Sequence, residues 1–293
     1  MSQLLSSDIL AAVGIDPGKV KDTLLLRQKA SHRVYRLVCQ DARYILKYFA
    51  QPNGAELKTY ALLETLCVPT LPVYARTTHA LLLEDLESSP RWRLATDFDM
   101  EQAEIGQAVA GWYLQLHRAG RKLFSENALP PEFLHPWIDV ITAESLAMAV
   151  TRLDLADAPG WETILEHVAM LKSRYHAFPQ TLNYSDFAAE NLALSCDGPL
   201  QAVVFDYDCF STGTVYSDWR NVTYALQGAA RQAFVDAYGS VNPREKMLDE
   251  PLSVLEGLVV AAQRERIPAW ALPLLETGKS GQLVEDILHR STS

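Results

Sequence analysis

The stretch LNYSDFAAENLAL, residues 182–194, places Asp186 and Asn191 in one short loop between two apolar runs. A third oxygen donor, Asp206, closes the apolar run of LQAVVFDYD, residues 200–208. Between them Asp197-Gly198-Pro199 is a turn signal, so the two runs read as a hairpin that returns Asp206 toward Asn191. Two hard oxygen ligands with a third carboxylate nearby suit Mg²⁺ carrying phosphates, because that ion keeps waters and takes few protein ligands. Phosphoryl transfer needs positioning, charge neutralisation and a residue that orients the attacking hydroxyl. Aspartate and asparagine also serve as turn and cap residues. The D-x4-N spacing alone does not separate the two readings.

Such a site has to be held by strands and helices, and the chain changes character along its length. Residues 24–49 read as strands: TLLLRQ, a turn at Lys29–His32, RVYRLVC, a polar turn at Gln40–Asp41, then RYILKYF. QPNG at 51–54 breaks this pattern, and AELKTYALLETL (55–66) has helical apolar spacing. PTLPVYAR and HALLLEDL supply two further short strands. From Asp97 the period becomes helical, with Ile105, Val109, Trp112 and Leu116 on one face of residues 99–123. Helices are expected at 135–153 and 160–178, then the hairpin, then helices near 217–239, 243–265 and 269–290. The expected plan is a strand-rich N-terminal lobe with one helix, a linker near 86–98, and a larger helical lobe with an inserted hairpin.

Composition narrows the function classes. The 293 residues are 48% hydrophobic and 21% charged, a globular balance with enough chain for two cores. Cys39, Cys67, Cys196 and Cys209 are scattered without a CxxC pair or a Cys/His cluster, which speaks for a reducing compartment and against a zinc site. No membrane-spanning apolar run is present, and the opening MSQLLSSDIL lacks the features of a signal peptide. A cytoplasmic location is the expectation. Residues 1–90 carry 10 basic and 9 acidic side chains, the remainder 16 and 27, so the net charge of -10 comes from the C-terminal two-thirds. Nucleic-acid binding, which needs a basic face, is disfavoured. The acidity is open to two readings, attraction of a cationic ligand or solubility.

The order of motifs resembles the aminoglycoside phosphotransferase/choline kinase family, small-molecule relatives of the protein kinases. YILK at 44–47 resembles its third-strand lysine motif, and AELKTYALLETL its N-lobe helix. LLLEDL at 81–86 resembles the hinge, LQLHRAG at 114–120 a helix end the family writes as LAxLH, and YSDFAAEN the catalytic H-x-D-x4-N loop. VVFDYD at 203–208 resembles the strand ending in the metal-binding aspartate, and YSDWRNV at 216–222 the segment whose aspartate supports the catalytic loop. The resemblance implies an α+β, bilobal protein-kinase-like fold. A nucleotide-binding lobe would span 1–90, with its antiparallel sheet, one helix and a hinge near 84–90. A helical lobe at 91–293 would carry the catalytic loop and acceptor site. It implies Asp186 as the catalytic residue, and Asn191 and Asp206 as ligands of Mg²⁺. Lys47 would contact the nucleotide phosphates, paired to Glu56 with Glu64 as runner-up, and the backbone of Glu84 and Leu86 would bind the base.

Three positions depart from the pattern. Tyr184 stands where the family has histidine; as an aromatic with a polar tip it keeps packing and one hydrogen bond. The nucleotide loop QKASHRVYRL has no glycine, and Ser31 is its residue for the β-phosphate. Thr214 replaces the aspartate of a G-D-P signature. The leading expectation is an ATP- or GTP-dependent, Mg²⁺-dependent kinase acting on a hydroxyl of a small cationic molecule of aminoglycoside type. Choline, ethanolamine or sugar acceptors are the alternatives, and a non-catalytic, pseudokinase-like nucleotide binder is the rival from another class. Tyr207, Phe210, Tyr216, Trp219 and Trp270 offer either a cation-binding surface or core packing. Asp208 offers either an acceptor contact or a solvated hairpin end.

Overall fold

The computed structural model describes residues 5–291. In chain order its helices and strands are α1 (Ser7–Ala12), β1 (Val20–Gln28), β2 (His32–Cys39), β3 (Arg43–Phe49), α2 (Ala55–Thr65), β4 (Val73–Arg76), β5 (Ala80–Glu84), β6 (Trp92–Leu94) and α3 (Ala103–Ser125). There follow α4 (Ala143–Arg152), α5 (Trp161–His176), β7 (Thr181–Asn183), β8 (Leu192–Ser195), β9 (Ala202–Val204) and β10 (Ser211–Gly213). The last are α6 (Val215–Ala225), α7 (Gly228–Tyr238), α8 (Pro243–Ala262), α9 (Leu272–Lys279) and α10 (Gln282–Ser291). The chain divides into two compact units, Met1–Leu116 with Asp186–Phe210 and Asn221–Tyr238, and His117–Ser185 with Ser211–Arg220 and Gly239–Ser293. The architecture is the expected α+β class, with an antiparallel N-terminal sheet and a largely helical remainder. Among the described residues no helix is long and apolar enough to cross a membrane.

In the first unit an antiparallel sheet runs in the order β1-β2-β3-β5-β4. The two-residue period sorts its faces. Tyr35, Leu37, Leu46, Ala80 and Leu82 lie on one face and form a core with Leu10 and Val13 at the end of α1. On the other face Val34, Lys47 and Leu81 stand in register across β2, β3 and β5. Two irregularities alter β1, and at the second Leu25 opposes Tyr35, but Arg27, not Leu26, opposes Val34. The extra residue is a bulge, and it carries Arg27 onto the face of Lys47. α2 follows Gly54 at its N-cap and buries Glu56, Leu57, Tyr60 and Leu63. The hairpin β8–β9 pairs Leu192 with Val204 and Leu194 with Ala202.

Three local differences from the sequence reading have physical causes. α1 adds a second helix to the N-terminal segment; six residues are too short to show a helical period, and its Leu10 and Val13 are held by the sheet. The expected linker contains β6, a three-residue strand whose partner β8 lies far away in the sequence. The single helices expected at 217–239 and 269–290 are each broken: Gly281 (φ 76) takes left-handed backbone just past the end of α9, and Gly228 (φ 47) does so at the first residue of α7, after a two-residue gap.

In the second unit β7 pairs with β10, setting Asn183 opposite Ser211 and Thr181 opposite Gly213. Around this pair α4, α5, α8, α9 and α10 bury a core that includes Ile138, Leu146, Ile164, Leu171, Leu252, Leu255, Leu258 and Ile287. A buried hydroxyl centres a polar network there. The Tyr175 hydroxyl receives the Trp137 indole N–H at 2.8 Å and the Thr214 amide at 2.9 Å, and lies 2.8 Å from the Ser217 hydroxyl. Thr214, one of the departures from the family pattern, is thus a buried packing position.

The glycines of α3 separate two roles that sequence alone cannot. A Cβ on Gly106 would overlap the carbonyl of Ala230 on α7, whereas a Cβ on Gly111 would meet nothing within 4 Å. Gly106→Ala is expected to destabilise by about 2 kcal/mol through forced displacement of α7. Gly111→Ala is expected to stabilise by about 0.5–1 kcal/mol through helix propensity. Urea unfolding of the two variants checks both signs.

Candidate active site

The site is built around the ammonium of Lys47. Its side chain is buried, 5% exposed, on the β3 face that α2 covers. It contacts the Glu56 carboxylate and lies 2.7 Å from Asp206 Oδ1 and 3.5 Å from Asp208 Oδ1. Glu64 turns away to pair with Arg76 at 3.2 Å. Burial alone would push Lys47 down, toward the neutral amine, but the charges of Glu56 and Asp206 more than reverse this and hold it protonated. Burial likewise pushes Glu56 up, to about 7, against the opposing pull of Lys47. Oxygens of Glu56, Asp206 and Asp208 come within 4.8 Å of one another, a spacing a metal ion could use. Here the cation that balances them is the lysine.

Asp186 and Asn191 belong to the same unit. The Asn191 amide donates to both Oδ2 and the backbone carbonyl of Asp186, each at 3.0 Å. Its N–H₂ is thereby committed, which leaves the side-chain oxygen as its hard donor. The Phe205 N–H donates to the Asn191 carbonyl at 3.0 Å and ties the start of β8 to the residue preceding Asp206. Asp206 itself has left-handed backbone, φ 63 and ψ 74, which costs a non-glycine residue about 1 kcal/mol. Burial, and then the charge of Asp206, raise Asp186 above the ordinary carboxylate range, against the Asn191 hydrogen bond. Two carboxylates that repel one another, beside an asparagine oxygen, are a donor set that fits Mg²⁺.

The loop that carries Asp186 is fixed just before it, in the second unit. The carboxylate of Asp218, fully buried, accepts the backbone N–H groups of Tyr184 and Ser185, each at 2.9 Å. His117 Nε2 lies 3.0 Å from the same carboxylate, and the Thr181 hydroxyl donates to the His117 carbonyl at 2.9 Å. Ser185 adopts a left-handed φ of 69. Residue 184 is anchored through its amide, which tyrosine and histidine share. The aromatic ring of Tyr184 is fully buried, so the substitution leaves this anchor intact.

The remaining expected residues lie in the first unit, around the nucleotide turn and hinge. Ser31 is exposed, its hydroxyl 3.1 Å from His32 Nδ1 and its carbonyl accepting from the Ala50 N–H at 2.9 Å. Glu84 ends β5 and its N–H is taken by the Pro72 carbonyl at 3.3 Å. Its side chain, in register with Tyr44, lies on the face opposite Lys47 and accepts from the Ser89 hydroxyl. Leu86 follows between Asp85 and Glu87, and Arg36 of β2 holds both, at 2.8 and 2.7 Å. A cavity of about 560 Å³ lined by Tyr44, Tyr74 and Glu84 opens on that opposite face and contains none of the phosphate-transfer candidates.

Sequence reading missed several participants. Arg36 alternates like a solvated strand residue and gives no signal of its hinge contact. Asp208 is exposed and pairs with two lysines that its sequence position does not announce: Lys29 reaches it at 3.1 Å and Lys47 at 3.5 Å. Burial pushes Asp208 up, but the two lysines outweigh this and leave it below the usual carboxylate range. Of the five aromatics, Tyr207 is buried against Tyr60 at 4.8 Å as packing, while Trp270 is 52% exposed.

Comparison with known proteins identifies the family and the fold. The profile of the phosphotransferase enzyme family APH matches residues 22–248, and the chain belongs to that family; it is a phosphotransferase. Comparison with curated protein sequences yields no match. Among solved structures the chain is similar to choline kinase LicA from Streptococcus pneumoniae, at 13% identity over 97% of each chain and a TM-score of 0.61. It is also similar to spectinomycin phosphotransferase APH(9)-Ia, solved with ADP and spectinomycin, at 12% identity over 100% of each chain and a TM-score of 0.57. Macrolide 2'-phosphotransferase MphH from Brachybacterium faecium gives 15% identity over 93% of this chain and 95% of that one, with a TM-score of 0.55. At these identities the structures share the fold.

Removing the central ammonium tests the electrostatic account. In Lys47→Met the Glu56 carboxyl loses its opposing charge, so its folded-state value rises further above the unfolded one. A folded state that retains a proton the unfolded chain releases loses stability as pH rises through that window. Lys47→Met is therefore expected to lose about 3 kcal/mol at pH 8 and to recover part of it at pH 5. Thermal unfolding at the two pH values checks the trend.

Proposed function

We propose that the chain transfers the terminal phosphoryl group of ATP or GTP, with Mg²⁺, to a hydroxyl of a small cationic molecule. The observation that carries this reading is the presence, in one compact unit, of Asp186, Asn191, Asp206 and a Lys47 held protonated by Glu56 and Asp206. Asp186 orients the acceptor hydroxyl and takes its proton; its raised proton affinity suits that task, and a loose transition state asks for little more basicity. Asn191 and Asp206 would hold Mg²⁺, whose charge neutralises the transferring phosphates. Lys47 adds a fixed positive charge positioned by Glu56. Glu84, with its N–H already taken, offers its carbonyl to an amino or ring N–H of the base, and Leu86 its N–H. In this reading residues 1–90 supply the nucleotide side.

The acceptor class is supported by charge in the second unit. On α8, Glu245 and Asp249 are buried, and burial pushes Glu256 up to about 7. Arg220 pairs with Asp249 at 2.7 Å, and Glu245 and Glu250 accept from the backbone and hydroxyl of Tyr216, whose ring stacks on Trp219 at 5.5 Å. Carboxylates in excess of guanidinium, beside stacked aromatics, favour an amine or quaternary ammonium acceptor. Choline-, ethanolamine- and aminoglycoside-type amines share this chemistry.

Turnover of ATP and GTP over a panel of aminoglycosides, amino alcohols and neutral sugars tests the reading. Asp186→Asn is expected to lower kcat by about 10²- to 10⁴-fold while preserving the thermal shift given by nucleotide with Mg²⁺. Near-wild-type turnover by Asp186→Asn would remove the residue from this role. Nucleotide binding without turnover on any acceptor would favour the non-catalytic binder, which the glycine-free turn also suits.

A further inference from the structure

The turn between β1 and β2 reads Gln28-Lys29-Ala30-Ser31 and contains no glycine. A turn that grips phosphate through its backbone needs available N–H groups and close approach, which glycine provides. Here the Lys29 amide is already used, closing the turn on the His32 carbonyl at 2.9 Å. The side chains of this hairpin take up the opposite posture. Lys29 Nζ lies 3.1 Å from Asp208 Oδ2, and the Arg27 guanidinium lies 3.8 Å from Asp206 Oδ2. Arg27 is there because of the β1 bulge. Without the extra residue Leu26 would oppose Val34, and Arg27 would point to the α1 face.

These two pairs differ from that of Lys47 in a way that makes them exchangeable. The Lys29 and Arg27 side chains are 38% and 58% exposed, so water screens their attraction and holds them only weakly to the carboxylates. A phosphate chain offers more charge and more acceptor oxygens than one carboxylate, and competes well for an ammonium or a guanidinium. His32, buried on the same face, adds an Nε2 that lacks a partner among the described residues.

We propose that Lys29 and Arg27 bind the phosphates of the nucleotide donor through their side chains, in place of a glycine-loop backbone. Asp208 and Asp206 are the counter-ions they leave when nucleotide arrives. This rests on the nucleotide-dependent reading above.

The test is calorimetric titration of the full chain with ADP and with adenosine, in the presence of Mg²⁺, and with GDP and guanosine if guanine is the base. Lys29→Gln is expected to weaken ADP binding about tenfold and to leave adenosine binding unchanged. Arg27→Gln should act in the same direction, and Lys29→Arg should restore affinity. Added salt should weaken ADP binding to wild type more steeply than to either glutamine variant. Unchanged ADP affinity in Lys29→Gln, or an equal loss for ADP and adenosine, would overturn the assignment. If wild type binds neither ADP nor GDP, the nucleotide reading itself fails and this inference with it.

Discussion

A lysine amine inside a protein stays charged only if negative charge is brought to it, and that requirement organises the first unit. Lys47 sits on a strand face with almost no solvent. Glu56 has to arrive from α2, and Asp206 from the end of the β8–β9 hairpin, or the ammonium would be too costly to bury. The strand β3, the helix α2 that follows it and a hairpin end 159 positions beyond Lys47 are thereby fixed to one atom. Asp186 lies near the same cluster, and burial, then the neighbouring Asp206, raise its proton affinity. Fold and chemistry meet in the electrostatics of this one cation.

The second unit repeats the principle with the sign reversed. Asp218 is a carboxylate with no solvent, and its donors are two consecutive backbone amides and an imidazole. Every residue but proline presents the same N–H, so the loop's anchor depends little on which side chain occupies residue 184. A tyrosine there alters what the ring packs against while the backbone stays held. Buried charge therefore acts in both units as a device for geometry, and each charge is satisfied by groups from several elements.

Much of this was legible in the sequence because its signals are local. Alternation in RVYRLVC and RYILKYF marks the strands, the spacing of Ile105, Val109, Trp112 and Leu116 marks α3, and Asp197-Gly198-Pro199 marks the hairpin turn. The order of motifs then placed Lys47, Glu56, Asp186, Asn191 and Asp206 together, and the structure does bring them into one unit, with Glu56 rather than Glu64 at Lys47. What could not be read is set by distant partners. The three residues of β6 become a strand only against β8, and α1 is held by the sheet that Leu10 and Val13 cover. The β1 bulge depends on how β2 pairs, so nothing in TLLLRQ announces that Arg27 will turn to the face of Lys47. Asp208 was ambiguous for the same reason: its partner Lys29 lies 179 positions away.

The left-handed backbone at Asp206 has a consequence for how such a chain changes over time. A glycine would adopt φ 63 there without steric penalty, so the local folding preference and the need for a carboxylate pull in different directions. A glycine would relieve about 1 kcal/mol of backbone cost but would strip the buried Lys47 of a counter-ion, so selection for stability alone also favours the aspartate for as long as Lys47 stays buried. The strained backbone of residue 206 and the buried ammonium of residue 47 are therefore bound to change together, and either substitution alone would be resisted by the other position.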